Sequence, residues 1–287
     1  MFRRTSRSAL RLTMPAPAVM RDSSTIACAF LLAATMALPA SGASPYETSW
    51  SKDGWIAGLS VASGIGAIVV SQTPSPLTVV EINALSRESV NRFDRSATYR
   101  YSENIANASD VLINAVVASP LALLAGEHVR DDWETFFVMY AEVIALAAIL
   151  PAYGKATVQR PRPYTYNPNV PMESKTTSDA KKSFFSRHTS MAFASAVFLS
   201  TAYDDYYPDS RSSPYVWAGS LLAASAVGYM RFASGEHFPT DIITGAVVGS
   251  AVGFLSPWLH RTDRGNSNSD APETAGSSVL FAFALRW

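Results

Sequence analysis

Six apolar segments, separated by polar or proline-containing stretches, dominate the hydrophobic pattern between residues 55 and 259. Each is about 15 to 18 residues long and rich in alanine and leucine, which is too long for a β-strand and typical of a helix. The pattern therefore predicts an all-α fold, a six-helix bundle. The predicted helices cover residues 55–70, 111–126, 136–153, 189–203, 215–230 and 242–259.

The length and composition of these helices leave open whether the bundle is embedded in a membrane. Several fall short of the ~20 residues that a span needs, and Glu142 interrupts the third. Gly245, Gly249 and Gly253 recur every fourth position in the sixth helix, a spacing that lets helix backbones approach closely in a membrane or in any tight bundle. If one of the six helices does not cross the membrane, we expect it to be the glycine-rich segment 55–70.

Two regions flank the predicted helical domain, residues 44–260. In residues 1–43, five arginines precede an uncharged stretch that ends in small residues, which predicts an export signal, with an uncleaved N-terminal anchor as the alternative. Residues 261–287 are predicted to be a polar C-terminal extension with a short strand-like end. The single cysteine, Cys28, lies inside the predicted signal, so cysteine catalysis and cysteine metal sites are excluded for a processed chain.

The charge composition limits the partners that the chain can bind. Charged residues make up 16% of the sequence, below the ~25% of an average soluble domain, which suits long buried helices. The formal net charge is zero and no basic tail follows the export region, which argues against a nucleic-acid partner. Any anion must therefore be bound by a local group of cations.

Three short motifs in the second half of the chain bring together cations, two imidazoles and one carboxylate. Each motif lies where a predicted helix ends or begins, and neighbouring antiparallel helices would gather all three at one end of the bundle. The motifs therefore predict a single site for a small anionic group, such as a phosphate. They are Lys155 with Arg162-Pro163, then Ser186-Arg187-His188, then Arg231 with His237 and Asp241.

The residue types in these motifs indicate how a phosphate would be held. Ser186 is a good N-cap, so the helix that opens with Arg187 and His188 presents free N–H groups to an anion. Arg162 can hold two phosphate oxygens as a fork, whereas Lys155 supplies a point charge.

The spacing of His237 and Asp241 indicates a nucleophile and its partner. The two residues are four apart in a predicted first helical turn, where one side chain lies above the other. A carboxylate there can accept a hydrogen bond from one ring nitrogen and leave the other free to attack.

The motifs resemble the signature of the type 2 phosphatidic acid phosphatase (PAP2) superfamily, which includes bacterial class A acid phosphatases and vanadium haloperoxidases. The signature reads Lys-x6-Arg-Pro, Pro-Ser-Gly-His and Ser-Arg-x5-His-x3-Asp, and the resemblance covers roughly residues 110–259. It implies a metal-independent phosphatase without a cofactor, in which His237 forms a phosphohistidine and Asp241 orients it. His188 would protonate the leaving oxygen and then activate water. The phosphate would be bound by Lys155, Arg162, Ser186 and Arg231.

Three positions depart from the family signature. Phe185 stands where the family has proline, Met230 where it has serine, and Arg187 where it has glycine. A glycine would let the backbone approach the phosphate closely. The Arg187 guanidinium would instead add a cation beside the phosphate, which predicts a preference for a diphosphate.

The resemblance predicts a hydrolase that acts on a lipid phosphate or diphosphate, in or at a membrane of the cell envelope, with its active site facing the periplasm or exterior. A soluble exported acid phosphatase of broad specificity is the nearest alternative. A vanadium-dependent haloperoxidase and a catalytically decayed helical membrane protein are the others. The oligomeric state is left open. His128 and His260, outside the motifs, are predicted to be surface or helix-capping residues.

Overall fold

The computed structural model describes residues 44–71 and 74–262. The predicted export signal and nearly all of the predicted C-terminal extension lie outside the described residues. Within the described part, nine α-helices are numbered here in chain order. They are α1 Trp50–Ser71, α2 Val79–Ala84, α3 Glu103–Ala118, α4 Glu127–Asp131, α5 Trp133–Val158, α6 Met172–Lys175, α7 Arg187–Tyr206, α8 Ser213–Ala233 and α9 Pro239–His260.

The all-α prediction is confirmed, and each of the six apolar segments lies in one of the six long helices. The second segment differs in detail, because α3 gives way to a 3-10 helix, Ser119–Ala125, with Pro120 at its start. Proline cannot donate the backbone hydrogen bond that an α-helix interior requires. The short helices α2, α4 and α6 are too brief to show an apolar period, so the hydrophobic pattern does not reveal them.

Helix α7 forms the centre of the bundle and packs against α3, α5, α8 and α9. Phe198 of α7 stacks on Tyr140 of α5, with ring centroids 4.9 Å apart, and also contacts Phe136 of the same helix. Phe136 and Met139 of α5 are fully buried in the same core. The burial of these large side chains fixes the relative positions of α5 and α7, and with them the helix ends that carry the motifs.

Helices α7 and α9 are in backbone contact along the glycine positions of α9. A Cβ added at Gly249 would lie 2.1 Å from the carbonyl oxygen of Ser190, and one at Gly253 would lie 2.3 Å from that of Ala194. Real Cβ atoms do not approach so closely, so glycine is required at both positions. The close helix packing expected from the four-residue glycine spacing is confirmed.

Four helical segments within the described residues are long and apolar enough to cross a membrane, by length and composition. They are Asp53–Ser71, Glu103–Ala125, Trp133–Tyr166 and Pro239–His260. The prediction that segment 55–70 is the first that would not cross is therefore not supported by its length or composition. Its apolar side chains are largely exposed, including Trp55, Leu59 and Ile65. Helix α7 is buried by its protein neighbours instead, which explains how it accommodates many serine and threonine residues.

Candidate active site

The ends of four long helices meet at one end of the bundle, where the three motifs converge. Gln159 caps the end of helix α5. It adopts a left-handed conformation with φ of 46° and donates its N–H to the Lys155 carbonyl at 3.1 Å. The chain then turns back, and the Arg162 N–H donates to the Ala180 carbonyl at 2.8 Å. This turn carries Arg162 over the helix ends rather than away from them.

The N-cap predicted at Ser186 is confirmed. Its Oγ accepts hydrogen bonds from the backbone N–H of Thr189 at 3.3 Å and from the Thr189 hydroxyl at 2.9 Å. The Ser186 hydroxyl can still donate its own proton to a bound oxygen. The Ser186 N–H donates to the Asp241 carbonyl at 3.1 Å, so the starts of α7 and α9 are joined directly.

His237 is buried, and a backbone carbonyl determines its tautomer. Its Nδ1 lies 2.7 Å from the carbonyl oxygen of Ser183. A carbonyl can only accept, so Nδ1 carries the proton and Nε2 keeps its lone pair in the neutral ring. The Asp241 Oδ2 atom lies 3.8 Å from the same Nδ1, beyond hydrogen-bond length. The direct hydrogen bond expected between His237 and Asp241 is thus replaced by one to the main chain.

Asp241 holds the surroundings of His237 in place. Its Oδ2 accepts from the Ser183 hydroxyl at 2.5 Å, and its Oδ1 accepts from Arg160 Nη1 at 2.7 Å. Asp241 therefore fixes the residue whose carbonyl orients the His237 ring. Its electrostatic contact with the ring is retained, because carboxylate and imidazole remain neighbours.

Arg160 is a positioning residue that the sequence analysis missed. Its guanidinium joins Asp241 to Asp94, with Nη2 2.7 Å from Asp94 Oδ2, and lies 3.9 Å from the centroid of the Phe238 ring. Asp94 in turn accepts from the Thr240 N–H at 3.0 Å. A basic residue two positions before Arg162 is visible in the sequence, but Asp94 lies in a distant loop and gives no local signal.

His188 pairs with a carboxylate from α3. Its Nε2 lies 3.0 Å from Oδ1 of Asp110, which also accepts from Arg231 Nη1 at 3.2 Å. Burial, reinforced by the positive charge of Arg231, lowers the pKa of His188 to about 4, although Asp110 opposes the shift. Asp110 is a second residue that the sequence analysis missed. Its one available signal is an acidic side chain on the edge of an apolar segment.

His237 is also held neutral at ordinary pH. Burial lowers its pKa well below the usual value, and the cations Arg162, Lys155 and Arg231 add to the shift, while Asp241 opposes it. Neutrality is the state that a nucleophilic imidazole needs, because a protonated ring has no lone pair on Nε2.

The two buried arginines share one carboxylate, that of Glu236. Its Oε2 lies 3.0 Å from Arg231 Nη2 and contacts Arg162 Nη1 as well. Arg162 also pairs with Asp179, at 2.7 Å, and lowers the pKa of that carboxyl to about 2 against the opposing effect of burial. Burial and the charge of Arg162 lower the pKa of Arg231 to about 10, which leaves it positive at neutral pH.

Lys155 and Arg187 complete the positive side of the site. Lys155 is half-buried in the last turn of α5, and its electrostatic neighbours include Arg187, Arg162 and Arg231. Arg187 occupies the first turn of α7, beside His188. All eight residues predicted from the motifs therefore lie at the same end of the bundle. Glu236, Asp179, Asp110 and Arg160 are additional charged residues there.

Replacing Glu236 with glutamine is expected to tighten binding of inorganic phosphate. The Glu236 carboxylate occupies the guanidinium groups of Arg162 and Arg231 and repels an incoming anion. Removal of the negative charge of Glu236 from beside the bound phosphate should improve the binding free energy by about 1.4 kcal/mol. We therefore expect the inhibition constant of phosphate to fall roughly tenfold. The measurement is competitive inhibition by phosphate at constant ionic strength. Weaker inhibition would mean that Glu236 positions the arginines rather than competing with the ligand.

The fold and this site define an all-helical protein with membrane-length helices and a cationic site that contains two histidines. Residues 136–264, somewhat less than half of the chain, match the PAP2 superfamily. The match contains all eight residues of the three motifs. The resemblance inferred from the motifs is confirmed.

Two curated relatives and one solved structure are similar to parts of this chain. The lipid A 1-phosphatase of Porphyromonas gingivalis is 38% identical over 80 residues, which is 28% of this chain and 17% of the relative. The undecaprenyl-diphosphatase of Sulfolobus acidocaldarius is 29% identical over 118 residues, 41% of this chain and 52% of the relative. The chain thus spans about half or less of either relative.

The solved structure is a transmembrane PAP2-type phosphatidylglycerolphosphate phosphatase from Bacillus subtilis. It aligns with a TM-score of 0.43 and 18% identity, over 70% of this chain and 94% of its own.

Proposed function

We propose that the protein is a phosphoric ester hydrolase that acts on a lipid phosphate or diphosphate through a phosphohistidine intermediate. One observation carries the proposal: a buried neutral imidazole, His237, with an unprotonated Nε2, lies among the cations Lys155, Arg162 and Arg231. A nucleophile surrounded by cations suits attack on phosphorus, because the cations offset the charge that builds on the phosphate oxygens. Both curated relatives are named as phosphatases, which supports this reaction class.

The proposed reaction has two steps. In the first, His237 Nε2 attacks phosphorus, the N–P bond forms as the ester P–O bond breaks, and His188 gives a proton to the leaving oxygen. In the second, His188 takes a proton from water, whose oxygen attacks phosphorus, the N–P bond breaks and phosphate leaves. Throughout, Arg162 and Arg231 bind the phosphate oxygens, with Lys155, Arg187 and the Ser186 hydroxyl as further donors.

Because its pKa is low, His188 must take a proton from water as the substrate binds, before it can act as the acid of the first step. A phosphate dianion beside the ring favours the charged form and raises its pKa from about 4. Asp110 would stabilise the imidazolium, since its Oδ1 lies 3.0 Å from Nε2. Substrate binding and protonation of His188 are therefore coupled in this mechanism.

The membrane-length helices support a lipid as the substrate. Apolar side chains on α1 and α9 remain exposed, among them Leu59, Val247 and Trp258, which suits a bundle surrounded by acyl chains. The headgroup of a lipid could then reach the site at the end of the bundle while its acyl chains stay in the bilayer beside the helices. We propose that this end faces the periplasm or exterior, as expected for an exported cell-envelope enzyme.

Phosphate release from matched substrates tests the proposed function. The full chain, purified in detergent, is offered long-chain and short-chain monophosphate and diphosphate esters, each with and without EDTA. We expect at least about tenfold higher kcat/KM on the long-chain esters, since burying each extra methylene contributes ~0.8 kcal/mol. Equal rates on both chain lengths would favour a soluble-substrate acid phosphatase. Bromination of an indicator dye supplied with vanadate, bromide and peroxide would favour a haloperoxidase, and an absence of phosphate release from all esters would contradict the proposal.

Replacing Arg187 with glycine is expected to lower the preference for diphosphate over monophosphate esters. Arg187 adds a cation to a site that already neutralises one phosphate, so its contribution should be larger for the more highly charged group. We expect the ratio of the two kcat/KM values to fall roughly tenfold, equivalent to one charge-assisted hydrogen bond. An unchanged ratio would contradict a role of Arg187 in substrate choice.

A further inference from the structure

A second cluster of titratable side chains lies at the opposite end of the bundle. It contains Asp53 in the first turn of α1, Glu142 in α5 and His260 in the last turn of α9. Glu142 precedes Lys155 by 13 residues in α5, so the cluster lies about 20 Å along the helix from the candidate active site. The surface position predicted for His260 is wrong, whereas its place in the last turn of α9, with Nδ1 on the Ser256 carbonyl, agrees with the alternative of a helix-capping residue. Its side chain is buried, and it packs between the two carboxylates.

The hydrogen bonds of His260 determine which ring nitrogen faces the carboxylates. Its Nδ1 lies 2.8 Å from the carbonyl oxygen of Ser256, so Nδ1 donates. The other nitrogen, Nε2, lies 3.0 Å from Asp53 Oδ1 and 3.6 Å from Glu142 Oε2. In the neutral ring Nε2 is an acceptor, and three acceptors facing one another need a cation between them. A backbone carbonyl on the far nitrogen is the usual support of a metal-binding histidine.

The Glu142 carboxylate distinguishes a metal ion from a proton in this position. Glu142 is 6% exposed, and its Oε1 has no hydrogen-bond partner among residues 44–71 and 74–262. Its Oε2 receives only a long hydrogen bond from the Ser256 hydroxyl, at 3.3 Å. A proton on His260 Nε2 could be donated only to Asp53 Oδ1 or Glu142 Oε2, the oxygens nearest the ring. Glu142 Oε1 would then stay buried and without a hydrogen bond, which costs free energy. A metal ion can engage both oxygens of one carboxylate.

Charge balance points the same way. Two carboxylates and a neutral imidazole carry two negative charges, which a divalent cation neutralises completely, whereas a single proton leaves one of them uncompensated. The ligand atoms of all three residues lie within 4.8 Å of one another. Ligands of a tetrahedral Zn²⁺ lie about 3.4 Å apart at the usual bond lengths, so small side-chain movements suffice.

We propose that Asp53, Glu142 and His260 form a binding site for a divalent transition metal, with Zn²⁺ or Mn²⁺ matching one imidazole and two carboxylates. The ion would connect α1 to α5 and α9. Helix α1 otherwise contacts the bundle mainly through α5, with a small apolar cluster of Ala67 and Ile149. The site is structural and separate from the phosphate chemistry.

Metal binding and thermal unfolding of the full chain in detergent test the proposal. The protein is treated with EDTA, freed of chelator, and titrated with ZnCl₂ or MnCl₂ while bound metal and Tm are measured. We expect one equivalent bound and a Tm that rises with metal concentration, since a ligand that binds only the folded state stabilises it. Glu142→Gln and Asp53→Asn should each lower the metal affinity at least about tenfold.

Two further variants serve as controls, and they separate this site from the candidate active site. His128→Ala removes an exposed histidine and His237→Ala removes the proposed nucleophile, and both should retain the metal. Binding lost in His237→Ala but kept in Asp53→Asn would place the metal at the active site and overturn the proposal. A Tm that responds to pH but not to either metal would instead assign the cluster to a protonated imidazole. Neither outcome depends on phosphatase activity.

Discussion

Alanine at position 237 is expected to reduce kcat/KM for phosphate ester hydrolysis by roughly 10⁴-fold or more, because the variant lacks the atom that would form the bond to phosphorus. The fold should survive, since the start of α9 is still held by Asp241, Arg160 and Asp94. The measurement is phosphate release at saturating and at low substrate, with Tm recorded for each variant. His128→Ala, an exposed histidine far from the motifs, should keep the activity of the parent protein.

A chemical trap separates loss of the nucleophile from loss of a structural contact. Wild-type protein quenched during turnover of phosphorus-labelled substrate should carry label that is stable to base and released by acid, as expected for a phosphohistidine. His188→Ala should accumulate this label, because it lacks the base proposed to activate water, provided that the leaving group is good enough to depart without an acid. Label retained in His237→Ala would contradict the assignment of the nucleophile.

Replacing Gly249 with alanine is expected to destabilise the fold strongly, although it adds only one methyl group. The new Cβ would lie 2.1 Å from the Ser190 carbonyl oxygen, which is backbone and cannot swing away. Helices α7 and α9 must then separate, with an overpacking cost of about 1–3 kcal/mol or more. Activity should fall as well, because the hydrogen bond from Ser186 N–H to the Asp241 carbonyl joins the two helix starts.

Gly219→Ala is the matched control for this substitution. Gly219 lies inside α8, and a Cβ there would meet nothing within 4 Å. Alanine is a better helix former than glycine by up to about 1 kcal/mol, so we expect an unchanged or slightly raised Tm. Measurement of Tm and kcat/KM in one detergent compares the variants. Equal behaviour of Gly249→Ala and Gly219→Ala would mean that α7 and α9 are not in backbone contact.

The features predictable from the sequence were those with a local signal. An apolar pattern that continues over several turns predicts each of the six long helices, and a motif at a helix end carries each of the eight proposed site residues. Asp110 and Asp94 have no such signal, because each acts on a partner more than 60 positions away along the chain. Only the folded bundle reveals that the buried Asp94 carboxylate pairs with Arg160 and that Asp110 pairs with His188 and Arg231.

His237 and His260 show why the position of a residue along a helix does not suffice to predict its contacts. The spacing of His237 and Asp241 correctly indicates neighbouring side chains. It gives no information on Ser183, whose carbonyl comes from a loop and accepts the hydrogen bond from the ring Nδ1–H. His260 ends a helix and so resembles a surface cap. Its burial depends on α1, whose Asp53 is separated from it by nearly the whole domain. Both errors concern contacts between elements rather than within one.

The acceptor that sets the His237 tautomer belongs to the main chain, and that limits what mutation can change. No replacement at position 183 removes this acceptor, because every residue, proline included, offers the same backbone carbonyl oxygen there. The backbone conformation of the loop, and not any side chain, thus determines which nitrogen of the His237 ring carries the proton. Sequence drift at Asp241 or Ser183 can weaken the support of that loop, yet the imidazole keeps its reactive nitrogen as long as the loop keeps its course.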